Sequence, residues 1–152
     1  MNINKAKELI IKYFGDKKDK GGNPYIKHLE YVSSKGRNEE EKIIGLLHDI
    51  LEDTKLTEKD LISNGFNQNI IKIIKILTRD KKNSYDEYIN NIIKSNSEVA
   101  LYIKKIDMEH NMDLSRIKNI TEKDIERIEK KYKPNYIKIC NALKVKQNTS
   151  IK

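Results

Sequence analysis

The stretch NEEEKIIGLLHDILEDT, residues 38–54, decides the fold class. Three glutamates follow Asn38, and apolar residues then stand at Ile43, Ile44, Leu46, Leu47, Ile50 and Leu51. These positions recur at helical spacings and do not alternate, so Asn38 to Leu51 reads as a helix that turns apolar toward its C-terminus. Four groups able to hold protons or metals crowd its end: His48, Asp49, Glu52 and Asp53.

The same period runs outward in both directions. Residues 2–14 place Ile3, Leu9, Ile10 and Tyr13 near one stripe, and Gly15 ends the segment. A polar, Gly-containing loop (Asp16 to Asn23) leads to Pro24, a suitable first residue for a helix carrying Tyr25, His28 and Val32 as far as Gly36. Downstream, Thr57 with Asp60, Ser84 with Glu87 and Thr121 with Asp124 have the spacing of helix-start caps. Pro134 can open a last helix to about residue 146. No stretch alternates like a strand and no repeat is visible. The expectation is one all-α domain of about eight or nine helices over residues 1–146, with 147–152 as a flexible tail.

Composition narrows the function. The 31 Lys and Arg outnumber 23 Asp and Glu, giving a net charge of +8, and charged residues make up 36% of the chain. Such a surface suits a phosphorylated ligand, but the lysines are scattered among acids and form no stripe interleaved with aromatics. Nucleic acid is therefore not an expected partner. The single cysteine, Cys140, excludes an internal disulfide and a Cys-rich zinc site. There is no signal-peptide pattern, and no apolar run approaches the ~20 residues that span a bilayer. A cytoplasmic protein without membrane partners is expected.

Polar groups on apolar helix faces carry the chemistry. His48 and Asp49 are adjacent at the end of an apolar helix, where burial without partners is costly. They differ by ~100° around the helix axis and can converge on an ion between their directions, or serve as a capping histidine beside an exposed aspartate. His28 shares a stripe with Tyr25 and Val32; it reads as a ligand or as a satisfied core histidine. On the helix from Ser97 to Leu114, the residues Lys104, Asp107, His110, Asn111 and Leu114 fall on one face, while Glu109 lies ~200° from Asp107. One Asp from this face with two His and an Asp from elsewhere makes a mixed nitrogen and oxygen set suited to Mn, Fe or Zn. Glu52 and Asp53 are placed to orient a water and take its proton, or form an ordinary acidic junction before Thr57.

Three stretches taken together resemble HD-domain phosphohydrolases: residues 19–28 (DKGGNPYIKH), 46–54 (LLHDILEDT) and 104–116 (KKIDMEHNMDLSR). Their nearest likeness is to the alarmone hydrolases, meaning the hydrolase domain of RelA/SpoT proteins and the small stand-alone enzymes. The resemblance covers about residues 12–145. It implies a helical fold, a divalent metal (Mn²⁺ in the alarmone hydrolases) on His28, His48, Asp49 and Asp107, and water activation by Glu52 and Asp53. It further implies a nucleotide pocket touched by Lys20, Tyr25 and Asn111, with Lys104 also available to phosphates. The implied reaction is release of pyrophosphate from the 3′ position of guanosine tetra- or pentaphosphate. The chain is too short for the synthetase domain of the long enzymes.

Two departures qualify that expectation. Leu29 follows His28 where the family usually has proline. Asp19 stands where the studied alarmone hydrolases have an arginine beside the guanine, and a carboxylate supplies no cationic stacking surface. Hydrolysis of another nucleotide phosphate, or nucleotide binding without turnover, are the alternatives; retention of both Glu52 and Asp53 argues against the second.

Overall fold

Short polar side chains start many of the helices. Asn38, Thr57, Asn67, Ser84, Ser97 and Thr121 each accept the backbone N–H three residues on, pairing a donor that a helix end leaves free. At Thr57, Ser84 and Thr121 the acid three positions later returns the bond and completes a capping box, at the three places the spacing predicts.

The computed structural model describes residues 3–151. Along it run α1 (Ile3–Phe14), α2 (Tyr25–Ser34), α3 (Glu39–Leu47), α4 (Ile50–Asp53), α5 (Glu58–Ser63), α6 (Gln68–Ile76), α7 (Tyr85–Lys94), α8 (Glu98–Asn111), a 3-10 turn (Leu114–Arg116), α9 (Glu122–Glu126), a π segment (Arg127–Tyr132) and α10 (Lys133–Ile151). The described residues contain no strand; an isolated bridge between Lys18 and Pro24 closes the loop before α2. The all-α expectation holds.

Some element boundaries differ from those expected, each for a local reason. Pro24 caps α2 from just outside, with φ −55°. The helix expected over Asn38–Leu51 is divided at His48 and Asp49, whose ψ values of −24° and −2° turn the chain. The helix carrying Asp107 ends at Asn111, so Leu114 belongs to the following 3-10 turn. Pro134 does not open a separate helix: α9, the π segment and α10 are continuous. Proline cannot donate the bond its position calls for, and the wider turn just before it is where a helix absorbs such a defect. The backbone of α10 stays helical past residue 146 to Ile151, while Lys152 lies outside the described residues.

Isoleucine and leucine fill the interior. Leu29, Val32, Ile43, Ile44, Leu47 and Ile103 are fully buried or nearly so, each contributing about 1.5–3 kcal/mol through removal of apolar surface from water. α2 packs on α3, α1 crosses α3, and α8 lies against α2, α3, α6 and α10. Gly45 sets the closest approach. A Cβ there would stand 2.8 Å from the backbone N and Cα of Ser33, so only glycine lets α3 meet α2 backbone to backbone. That contact brings the C-terminus of α3 beside the face of α2 that bears His28.

Candidate metal centre and its cleft

Three elements deliver four ligand-type side chains to one point. His28 comes from the middle of α2, His48 and Asp49 from the break between α3 and α4, and Asp107 from α8. One donor atom from each lies within 4.8 Å of the others. The break brings these neighbours closer together than the ~100° spacing of an unbroken helix favours, with His48 Nε2 3.2 Å from Asp49 Oδ2.

The tautomer of His48 is fixed by its surroundings. Its Nδ1 lies 2.6 Å from the carbonyl oxygen of Gly45, which can only accept, so Nδ1 carries the proton. Nε2 then faces Asp49 Oδ2 and Asp107 Oδ1, both at 3.2 Å. A neutral imidazole would set its lone pair against two carboxylates, an arrangement that calls for a cation among the three. Burial opposes charging His48, but the fields of Asp49 and Asp107 outweigh it and hold the ring well above the usual histidine range. A backbone carbonyl on one nitrogen with the other turned to a cation is the support that metal-bound histidines require. The donor set of two imidazoles and two carboxylates fits a divalent ion.

The rest of the cluster is held by further hydrogen bonds and ring contacts. His28 Nε2 lies 2.8 Å from Asp107 Oδ1, and its Nδ1 lies 2.7 Å from Nδ1 of His110. Burial and the charge of Arg116 push His110 down to about 4, so it is neutral. Its ring stacks on His28 at 4.9 Å and on Tyr31 at 4.0 Å, which fixes both imidazoles. Lys104 is 8% exposed and donates to Asp107 Oδ2 at 2.8 Å, and Asn111 Nδ2 donates to Asp107 Oδ1 at 3.3 Å. Burial would raise the Asp107 carboxyl, yet Lys104, His28 and His48 keep it well below the carboxylate range. Tyr25 donates its hydroxyl to Asp49; burial first, and then the charge of Asp49, push that phenol far up. Glu109 points away from the site and pairs with Lys105 and Tyr136, as the helical spacing predicts.

Above the cluster lies a cleft in two halves. The inner cavity, of about 160 Å³, touches Asp49 and Asp107 and is walled by Arg79, Lys104, Lys131, Tyr85 and Tyr88. The outer cavity, of about 450 Å³, is walled by Lys17, Lys18, Lys20, Arg116 and Arg127. Tyr25, Glu52, Asp53, Asn111 and Tyr132 line both halves. Glu52 and Asp53 therefore sit at the junction beside the cluster. Glu52 accepts the backbone N–H of Arg79 at 2.7 Å, and partial burial with the neighbouring negative charge of Asp49 still raises its carboxyl. Asp53 is raised by the same two effects and has Lys17 at 3.7 Å.

The structure thus brings His28, His48, Asp49, Asp107, Glu52, Asp53, Tyr25, Lys104 and Asn111 together, with exposed Lys20 at the outer wall. Lys104 is not a free rim cation; it is committed to Asp107. Asp19 does not stand as an unpaired charge, since Arg116 lies 2.7 Å from it. Sequence reasoning missed Arg79, Arg116, Arg127, Lys131 and Tyr132. Arg116 stands in the third family-like stretch and was there to be read; Arg127, Lys131 and Tyr132 ride on the π segment, which no hydrophobic period encodes.

No protein-family model matches the chain. Over 87 residues, 55% of the chain, it is 36% identical to a guanosine-3′,5′-bis(diphosphate) 3′-pyrophosphohydrolase of Aquifex aeolicus (strain VF5), and it spans 12% of that relative's length. Its fold matches a solved structure described as a metazoan ortholog of SpoT that hydrolyzes ppGpp and plays a role in starvation responses. That match has a TM-score of 0.65 at 18% identity and covers 93% of each chain. The chain is thus similar in sequence, over its matched half, to this one pyrophosphohydrolase, and shares an HD-type helical fold with the solved structure.

Proposed function

We propose that this chain is a metal-dependent phosphohydrolase that releases pyrophosphate from the 3′ position of a guanosine 3′,5′-bis(diphosphate)-like nucleotide. The observation that carries the proposal is the buried set of His28, His48, Asp49 and Asp107, its donors within 4.8 Å, at the floor of a cleft with cations on both sides. A substrate with two separated anionic groups suits a reactive centre with basic side chains on either side, Arg79 and Lys131 in the inner half and Lys18, Lys20 and Arg127 in the outer, and the matched relative is named for such a substrate.

His28, His48, Asp49 and Asp107 would hold the ion, with Mn²⁺ preferred. A divalent ion there supplies Lewis-acid polarisation of a phosphoryl oxygen and acidifies water. The protein does the rest. Lys104 keeps Asp107 ionised, Gly45 fixes the tautomer of His48, and His110 with Tyr31 fixes the ring of His28. Glu52, with one oxygen engaged by the Arg79 amide and its carboxyl raised, orients the attacking water and takes its proton; Asp53 assists. The water oxygen bonds to the phosphorus next to the 3′ oxygen, the bond between them breaks, and a proton returns to that oxygen. Arg79 and Lys131 receive the departing pyrophosphate in the inner half, and Tyr25 and Asn111 bound the space between the halves. The working compartment is the cytoplasm.

The test is hydrolysis of guanosine 3′,5′-bis(diphosphate) by the purified chain with added Mn²⁺, reading pyrophosphate and nucleotide products separately. Stoichiometric pyrophosphate with guanosine 5′-diphosphate is expected. Release of single phosphates, or no reaction, overturns the assigned bond.

A further inference from the structure

The loop that carries the outer lysines is fastened to the 3-10 turn after α8 by contacts centred on one pair of opposite charges. Asp19 Oδ1 accepts the backbone N–H groups of Gly21 and Asn23, each at 2.9 Å. Its other oxygen accepts Arg116 Nη2 at 2.7 Å. Arg116 in turn donates from Nη1 to the carbonyl of His110 at 2.6 Å, satisfying an acceptor in the last turn of α8, where a cation also meets the helix dipole favourably. The carbonyl of Arg116 accepts Asn23 Nδ2 at 2.9 Å. Gly21 presses so closely on that same carbonyl that any Cβ would collide with it. Three loop residues, Asp19, Gly21 and Asn23, therefore each meet Arg116, which is itself bonded to the last turn of α8.

The consequence is geometric. Lys17, Lys18 and Lys20 flank Asp19 on a loop whose own backbone contacts are few: the bridge to Pro24 and the short turns around it. The Asp19 carboxylate shapes the loop from inside, and Arg116 ties that carboxylate to the helix that bears Asp107. Both side chains are largely enclosed, at 13% and 20% exposure, so their pairing is less screened than a surface ion pair. A charge-assisted bond to a planar fork also sets direction, which a lysine at the same place could not do as well.

We propose that Asp19 and Arg116 are positioning residues that hold the lysine loop over the outer half of the cleft, where it grips the substrate's phosphates remote from the bond being broken. The inference rests on the phosphohydrolase reading above. It assigns a second phosphorylated end to the outer cavity and makes the clasp the device that discriminates substrates with that end from those without.

The experiment compares Arg116→Met, Asp19→Asn, Arg116→Lys and the exchange Asp19→Arg/Arg116→Asp with the unaltered chain. Substrates are guanosine 3′,5′-bis(diphosphate) and the guanosine 3′-diphosphate that lacks the 5′ phosphates. Arg116→Met and Asp19→Asn should raise KM for the first substrate about 10-fold, leave kcat within about 2-fold, and shrink the preference for it over the second toward parity. Mn²⁺ affinity should not change, and Arg116→Lys should be intermediate. The exchange variant should not recover, because a carboxylate at 116 cannot accept the Gly21 and Asn23 amides. Full recovery by the exchange, an unchanged substrate preference, or loss of Mn²⁺ affinity would overturn the assignment. Hydrogen exchange at Gly21 and Asn23, measured without substrate, should quicken in Arg116→Met and Asp19→Asn; unchanged exchange also overturns it. If the unaltered chain cleaves neither compound, the proposed reaction fails, and amide exchange still decides whether the clasp holds the loop.

Discussion

Two pairs of carboxylates lie a few ångströms apart in this site and are driven in opposite directions. Burial works on all four. Asp49 and Asp107 nevertheless sit below the usual carboxylate range, because His48 answers Asp49 and Lys104, His28 and His48 answer Asp107. Glu52 and Asp53 sit above it, because the neighbouring Asp49 adds to burial while the Arg79 amide and Lys17 compensate only in part. The first pair remains anionic and suits a cation; the second holds a proton more readily and suits proton transfer. Cation placement, not residue type, separates the roles.

The largest effect should come from breaking the first pair. Asp107→Ala removes a proposed ligand and leaves Lys104 buried without its carboxylate partner. Metal binding and activity should both be lost. The metal-free protein should also lose about 3–5 kcal/mol, the range for an abandoned buried charge. His48→Ala should lose metal and activity with a smaller stability change, since it strands no buried cation. Elemental analysis and chemical denaturation of both variants check this. Retained metal in Asp107→Ala would remove Asp107 from the ligand set.

Breaking the second pair should give a smaller and different result. Glu52→Gln should keep the metal and lose ~10²-fold or more in kcat, the usual scale for a positioned base, with Asp53→Asn the same or milder. The sign with pH follows from the raised carboxyl. A base works deprotonated, so kcat should fall on acidification, and the fall should begin at a higher pH than an ordinary glutamate would give. That acid limb should flatten in Glu52→Gln. A limb that persists unchanged moves the base to another group.

This contrast was only half legible in the sequence. The ligand types were readable because three separated stretches place His28, His48, Asp49 and Asp107 on apolar helix faces, where unpaired polar groups are costly. The capping boxes at Thr57, Ser84 and Thr121 were readable because they depend on local spacing alone. The break at His48 was not, since Leu47 and Ile50 continue the apolar period across it and the turn is set by a side-chain bond to Gly45. Nor was the electrostatic support. Lys104 reads as a phosphate ligand until its nitrogen is seen on Asp107, and Asp19 reads only as the loss of a stacking cation until Arg116, 97 residues away, is seen beside it. Long-range pairing leaves no periodic trace, and the wide turn at Arg127–Tyr132 hides its cleft residues in a lysine-rich run that looks solvated.

The smallest expected effect sharpens the comparison from outside the site. Glu109 lies two residues from Asp107 on the same helix but faces the other way, with Lys105 Nζ at 2.9 Å and the Tyr136 hydroxyl at 2.6 Å. Its carboxyl is also lowered: partial burial would raise it, but Tyr136 and Lys105 outweigh that. It therefore resembles Asp107 in the direction of its shift and differs in standing outside the cluster of ligand-type side chains. If a lowered carboxyl alone made a ligand, Glu109→Ala would impair metal binding and the proposed activity. If convergence on the cluster is what matters, metal content and kcat should stay unchanged. Stability should fall by less than about 1 kcal/mol, because the lysine pair is partly exposed and screened. A lowered carboxyl contributes stability above its unfolded value and loses that contribution as pH falls through its folded value. Melting curves of Glu109→Ala and the unaltered chain should therefore differ slightly at neutral pH and draw together in acid. A loss of metal in Glu109→Ala would mean that the two faces of α8 are assigned the wrong way round.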